Sequence, residues 1–287
     1  MSLEVVIPTR NCDVDLSRCL KSLAAQVDPV RVIVVDAHSA DNTRAVTRGW
    51  GAELFDEPPS AVKGSRRAVA CNEGIRQVKG RYVAFLDADT EAPPTWSRDM
   101  ARLIREWRTG IVWDIEDMPQ PVAAVTSGCV ADESTPLARE IGKLSRSLSA
   151  HGRQFTKPTI VESVPGYNSV YALEPIRRAG GFPEDIGGAE DWWMNHVLSR
   201  MGYAFVGVPE SPVIHHERKT LEAYGAQMRG YGWSRGRLLR VKHHFTPQHA
   251  IPTLLLPTTA ITKLLPPTLL TTFLVEWGWG YFLGVLT

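Results

Sequence analysis

The sequence predicts an α/β protein with a mostly parallel sheet, and three observations carry that expectation. Short apolar runs alternate with stretches of helical periodicity from Val5 to Val125, the pattern of βαβ units. The runs are continuously apolar, as strands covered on both faces are. Two of them end in aspartates, at the edge where open α/β sheets hold their ligands. At 287 residues the chain can bury one full core of this kind and leave a short remainder.

Val5-Val6-Ile7 is the first strand, ended by Pro8-Thr9-Arg10-Asn11. Leu16, Cys19, Leu20, Leu23 and Val27 then recur at helical spacing, with Asp13 or Asp15 near the cap. Val32-Ile33-Val34-Val35 is a second strand, closed by Asp36 and the polar run from Ser39 to Thr43. A helix carrying Ala68, Cys71, Ile75 and Val78 leads through Gly80 to a buried strand, Arg81 to Leu86, whose carboxyl end is Asp87-Ala88-Asp89. Trp96, Met100, Leu103, Ile104 and Trp107 mark another helix, and Val122-Ala123-Ala124-Val125 another strand.

Several classes of function are excluded early. A net charge of +1 gives no global field for nucleic acid. The first strand-to-helix turn has no glycine, and no phosphate-binding loop occurs. A nucleotide held on this sheet therefore needs a metal for its phosphates. Cys12, Cys19, Cys71 and Cys129 are scattered and read as reduced, packed thiols. The amino terminus lacks the form of a signal peptide, so the catalytic part is expected in the cytoplasm.

The chemistry lies in a few acids and their neighbours. Asp87 and Asp89 can share one hard divalent cation, Mg²⁺ or Mn²⁺, with substrate phosphates; alone, the pair reads equally as a turn or cap. Asp36 is placed either to accept hydrogen bonds from a base or ribose or to cap a turn. Lys63, Arg66 and Arg67 precede the metal strand, and Arg67 is the favoured cation for a diphosphate. In Gly187-Gly188-Ala189-Glu190-Asp191-Trp192-Trp193, two acids open a helix bearing Met194, Val197, Leu198 and Met201. Acids there complement the helix dipole, but a carboxylate between tryptophans also suits a general base in a partly dry pocket. Val213-Ile214 runs into His215 and His216; either imidazole could complete the metal site, since adjacent strand residues face opposite ways.

Taken in order, these residues resemble a family 2 glycosyltransferase with the GT-A fold, over roughly residues 3–240. The resemblance rests on Val5-Val6-Ile7-Pro8-Thr9-Arg10-Asn11, Val34-Val35-Asp36 with Ser39, Asp41, Asn42 and Thr43, and Asn72-Glu73-Gly74. It continues through Phe85-Leu86-Asp87-Ala88-Asp89, Ala179-Gly180-Gly181-Phe182-Pro183, Glu190-Asp191 and the His215-His216 strand. It implies a Rossmann-like nucleotide-sugar-binding domain and a divalent metal at Asp87 and Asp89, with His215 or His216. It also implies Asp191 as catalytic base, Asp36 near the nucleobase, and a donor site formed by Pro8, Thr9, Arg10, Asn11, Asp36, Arg67, Asp87, Ala88 and Asp89. Glu190, Trp192 and Trp193 then lie on the acceptor side. Departures exist: Ala37-His38 and Cys71 replace residues usual in the family, and Gln227 to Tyr231 does not spell the motif of processive synthases.

A hydroxyl acceptor on a lipid-linked sugar or glycan, and an inverting displacement from GDP-mannose or a UDP-sugar, are the expected chemistry. A polyprenyl phosphate acceptor is the alternative, since an ionised phosphate needs no base. A metal-dependent nucleotidyltransferase and a membrane-tethered nucleotide-sugar binder are the readings from other classes.

The tail divides the chain into residues 1–246 and 247–287. Between Glu222 and Glu276 there is no carboxylate, while Arg229, Arg235, Arg237, Arg240, Lys242 and Lys263 fall there. A basic run before apolar sequence is expected at an anionic cytoplasmic membrane face. Residues 268–286 approach the length that crosses hydrocarbon, though Glu276 is costly at mid-depth. A short membrane hairpin or a pair of half-buried interfacial helices is expected for this segment, with core helices on the globular domain as the alternative. The tail resembles membrane-attached members of the family, including archaeal mannosyltransferase-like enzymes.

Overall fold

The computed structural model describes residues 3–60, 66–109, 121–130, 132, 134–148, 154–244 and 269–287. In chain order the elements are β1 (Glu4–Thr9), α1 (Asp13–Ala24), β2 (Arg31–Asp36), α2 (Thr43–Gly49), β3 (Glu53–Asp56), α3 (Arg66–Gln77), β4 (Tyr82–Leu86) and β5 (Thr90–Glu91). There follow α4 (Trp96–Thr109), β6 (Val122–Thr126), β7 (Cys129–Val130), α5 (Pro136–Leu148), β8 (Thr159–Val161), β9 (Asn168–Ala172) and α6 (Leu173–Arg178). The chain continues through α7 (Glu190–Arg200), β10 (Ala204–Gly207), β11 (Val213–His215) and α8 (Leu221–Lys242) to α9 (Leu269–Leu286).

The main sheet has eight strands in the order β3-β2-β1-β4-β9-β6-β10-β8. It is parallel from β3 to β4 and again between β6 and β10. β9 enters antiparallel to both β4 and β6, and β8 closes the far edge antiparallel to β10. The expectation of a mostly parallel sheet thus holds for its first half, and the central antiparallel β9 was not foreseen.

Both faces are covered, which is why the strands read as unbroken apolar runs. Val5 and Ile7 pack with Leu16, Leu20, Trp96 and Ile104 on one side. Val6 joins Ile33, Val35, Cys71, Phe85 and Phe205 on the other. The alternation of β1 therefore serves two cores, not one core and solvent. Val27 lies beyond the end of α1 and is exposed, so the first helix is shorter than its apolar spacing implied.

Two of the motifs quoted for the family meet in space. Asn72 on α3 accepts the Phe182 N–H at 2.8 Å and donates to the Phe182 carbonyl at 2.9 Å. Gly181, at φ 85°, leaves room for that amide, since a Cβ there would fall 2.8 Å from Asn72 Oδ1. Gly74 lets α3 lie directly on β1, where a Cβ would sit 2.2 Å from Val6 Cγ1.

At the carboxyl end of the chain, α9 lies along α8 and runs in the same direction. Gly232 and Gly236 of α8 face Gly280 and Gly284 of α9, each pressed on the other helix's backbone. A Cβ on Gly232 would be 2.0 Å from the Trp277 carbonyl oxygen, and one on Gly284 2.0 Å from that of Trp233. Small residues at such a contact let backbones approach closely, as they do between membrane helices. Arg229 and Glu276 pair at 2.6 Å across the same seam. Among the described residues no helix is long and apolar enough to cross a membrane. The spanning form of the tail is therefore not met by α9, whose Glu276 is taken up by α8. Residues 245–268, with the proline-broken half of the tail and the 246/247 boundary, lie outside the described residues.

Candidate active site

β4 delivers Asp87 and Asp89 to the carboxyl edge of the sheet, where β11 of the small sheet β5-β11-β7 meets them. Ligand atoms of Asp87, Asp89 and His215 all lie within 4.8 Å of one another. His215 Nε2 stands 3.3 Å from Asp89 Oδ1, and Glu217 Oε1 is 4.0 Å from Nδ1 of the same ring. Tyr167 lies tilted against the imidazole, with ring centroids 4.6 Å apart and planes at 37°. His216 points the other way, to Glu91 at 2.6 Å and Asp132 at 3.5 Å. The strand alternation that left two candidates open turns His215 toward the two aspartates and His216 away from them.

Asp89 Oδ1 is buried with no well-aligned hydrogen bond, the nearest donor being His215 Nε2 at 3.3 Å. A buried carboxylate oxygen without a donor is costly unless a cation faces it. Burial raises the Asp89 carboxyl, but His215 and Arg218, the latter 3.6 Å from Oδ2, outweigh it and hold the group at about 2. Burial likewise opposes charge on His215, and Asp89 more than offsets it, pushing the imidazole up to about 9. Two hard carboxylates and one imidazole form a donor set that Mn²⁺ or Mg²⁺ accepts.

Arg67 joins this cluster to α7. Its Nη2 donates to Asp87 Oδ1 at 2.7 Å and its Nη1 to Glu190 Oε1 at 2.5 Å. Burial raises the Glu190 carboxyl; Arg67 pulls it down, and Asp191 adds to the rise. The guanidinium expected on a diphosphate is therefore held between two protein carboxylates. Gly166 makes this possible, because a Cβ there would be 2.6 Å from Arg67 Nη2. The Gly166 N–H also donates to Asp191 Oδ2 at 3.0 Å, fixing the proposed base from the same point.

The glycines before α7 have a packing reason as well as a conformational one. A Cβ on Gly187, at φ 79°, would meet the Trp233 ring at 2.3 Å, and one on Gly188 would meet Ser234 Oγ at 2.3 Å. The turn into Glu190 is thus pressed against α8. Of the two tryptophans, Trp192 stacks on His196, one turn on, with centroids 5.6 Å apart. Trp193 instead lines a separate cavity of about 380 Å³ with Asn72, Phe182, Glu184 and Lys242.

At the other expected end of the donor site, Asp36 is fully buried. Its carboxylate accepts the Ser39 N–H at 3.0 Å, the Ser39 hydroxyl at 2.5 Å and Arg44 Nη1 at 2.9 Å, with Thr9 Oγ1 at 3.5 Å. Asp36 therefore acts through the turn it pins, not through an exposed oxygen. Asn11, at φ 48°, receives the Ala40 N–H on Oδ1 and donates its own N–H to Ser39 Oγ, both at 2.8 Å. Pro8, Thr9 and Asn11 are thereby bound to the second strand's turn, Arg10 is exposed, and Ala88 is buried. Lys63 lies outside the described residues.

Residues 4–120 match the sequence profile described as Glycosyl transferase family 2, and residues 82–286 that described as Glycosyl transferase family group 2. The chain belongs to glycosyltransferase family 2 and has the GT-A fold. Among curated relatives it is 36% identical over 89 residues to a 4,4'-diaponeurosporenoate glycosyltransferase of Staphylococcus aureus, covering 31% of this chain and 24% of that protein. It is 32% identical over 94 residues to the uncharacterized glycosyltransferase YibD of Escherichia coli, covering 32% of this chain and 27% of that one. The matches thus span about a quarter of those relatives' length. Among solved structures, the mannosyltransferase PcManGT from Pyrobaculum calidifontis, in complex with GDP-Man and Mn²⁺, superposes with a TM-score of 0.65 at 20% identity, covering 99% of this chain and 87% of that one. S. aureus TarS 1-349 in complex with UDP-GlcNAc gives 0.55 at 18% identity, covering 92% and 73%. These likenesses extend the fold over nearly the whole chain.

Proposed function

We propose that this glycosyltransferase inverts the anomeric centre while moving a sugar from a nucleoside diphosphate to a hydroxyl of a lipid-linked or glycan acceptor. The observation that carries the reading is the Arg67 bridge. One guanidinium ties Asp87, at the end of β4, to Glu190, at the start of α7, and so sets Asp191 beside the acidic cluster.

Asp87, Asp89 and His215 would hold a divalent cation, which supplies positive charge against the departing diphosphate. Asp191 takes the proton of the attacking hydroxyl, and the Gly166 N–H keeps one of its oxygens oriented. Arg67 is a positioning residue that acts through the two carboxylates it grips. Asp36, Asn11 and Ser39 shape the end of the cleft assigned to the nucleobase. GDP-mannose or a UDP-sugar is the donor, a choice supported by the ligands named for the structural neighbours.

Membrane action is part of the proposal. Trp279, Phe282, Leu283 and Leu286 leave an apolar face of α9 exposed, and the basic residues of α8 precede it. The reading places the catalytic domain on the cytoplasmic face, with α9 lying at the interface.

Asp191→Asn tests the central role. Donor binding should stay close to the parent value while transfer falls about 10²–10⁴-fold, the usual worth of a general base. Turnover near that of the parent enzyme would remove Asp191 from the mechanism.

A further inference from the structure

α8 crosses the start of α7 and presents Gln227, Tyr231 and Arg235, at helical spacing, along one stripe. Gln227 donates to the Tyr231 hydroxyl at 3.1 Å. Arg235 lies over the Trp192 ring, its guanidinium carbon 5.0 Å from the centroid. Its Nη1 is buried and has no hydrogen-bond partner, and among the described residues Arg235 forms no ion pair. The neighbouring cations differ in this respect. Arg67 is held by Asp87 and Glu190, Arg218 by Asp89, and Lys242 by Asp185 at 2.6 Å.

A buried guanidinium nitrogen without an acceptor is costly, so its retention calls for an explanation. Trp192 follows Asp191 directly in α7, so the guanidinium lies one residue from the proposed base; burial lowers its proton affinity, and the charges of Asp191 and Glu190 pull it back up. Trp192 backs the guanidinium, and Arg235 as a whole is only partly buried. A planar, stacked guanidinium reads phosphate through two parallel hydrogen bonds.

We propose that Arg235, backed by Trp192, is a subsite for a phosphate carried by the acceptor, next to the hydroxyl from which Asp191 takes a proton. The subsite rests on the transfer reading above, deepens it, and defines the acceptor as an anionic molecule. Arg235 binds and orients the acceptor; Asp191 does the chemistry.

The test is calorimetry on the full chain loaded with Mn²⁺ and whichever of GDP or UDP it binds, titrated with methyl phosphate and with farnesyl phosphate. Both probes should bind the loaded protein, and Arg235→Gln should weaken them at least about tenfold, with Arg235→Lys in between. Affinity for the nucleoside diphosphate should change less than about twofold, on the same grounds. Tighter binding of farnesyl phosphate identifies a lipid-borne phosphate, and equal binding of the two a soluble one. The inference is overturned if neither probe binds, if binding is indifferent to Arg235→Gln, or if the substitution weakens the nucleotide instead. Normal turnover by Asp191→Asn would strike the base assignment while leaving these titrations interpretable.

Discussion

Replacing Arg67 with methionine asks whether one cation holds the two acidic ends of the cleft together. The apolar stem is largely kept. Glu190, only 4% exposed, and Asp87 both lose their partner. Breaking a buried ion pair from one side costs about 3–5 kcal/mol. Because the Arg67 and Asp87 side chains retain 27% and 33% of their exposure, solvent screening brings the expected loss to about 2–3 kcal/mol. With an m-value of about 3 kcal/mol/M, the urea midpoint falls by about 0.7–1 M. The loss also has a pH signature. Burial already raises Glu190 above its ordinary value of 4.5, and without Arg67 it rises further. A carboxyl with a folded pKa above its unfolded one destabilises the fold when ionised, so the deficit is full at neutral pH and shrinks as pH falls through the folded value. Urea titrations at about pH 7.5 and about pH 5 read this directly, and Glu190→Gln in the Arg67→Met background should recover most of the loss. A variant as stable as the parent at neutral pH, a deficit that deepens on acidification, or no rescue by Glu190→Gln would each refute the reasoning.

Three further outcomes follow from the geometry. His215→Ala should weaken Mn²⁺ binding at least about tenfold by calorimetry, whereas His216→Ala should leave it within about twofold; the reverse order would overturn the ligand assignment. Gly280→Ala places a Cβ 2.1 Å from the Arg229 carbonyl oxygen, so the two helices must part, at a cost of about 1–3 kcal/mol in thermal or urea unfolding. Phe282→Glu with Leu286→Glu, both on the exposed face of α9, should release the protein from anionic vesicles in a flotation assay, and unchanged flotation would count against membrane docking by that face.

Much of the first half of the fold is legible in the chain because its strands are short, apolar and separated by helices of clear period. β9 was not, since Asn168-Ser169-Val170-Tyr171-Ala172 is fully buried yet starts with two polar residues. Asn168 is satisfied at a distance, bonding Ser127, Gly128 and Trp96, pairings that only the folded sheet provides. The acids Asp87, Asp89, Glu190 and Asp191 could be read as a site, because carboxylates at strand and helix ends are few and chemically distinct. Their connections could not. Arg67 was seen as a cation near the cleft, but its two partners lie 20 and 123 residues away. Gly166 carried no signal at all, being one glycine in a loop, although both Arg67 and Asp191 depend on it. The sequence left the spanning form of the tail open for a definite reason. An apolar helix with glycines every fourth residue suits lipid and suits a close-packed neighbour, and only α8 decides between them.

The shared spine of α8 and α9 makes the far end of the chain part of the cleft's wall. Tyr231 and Arg235 ride on the helix that Gly232 and Gly236 join to α9, with no side-chain cushion between. Tilt or slide imposed on the outer helix, by a bilayer pressing on Trp279 and Phe282, would therefore be delivered undamped to the residues flanking Trp192. If the proposed membrane docking holds, such coupling would let the bilayer govern how tightly the cleft closes over its acceptor.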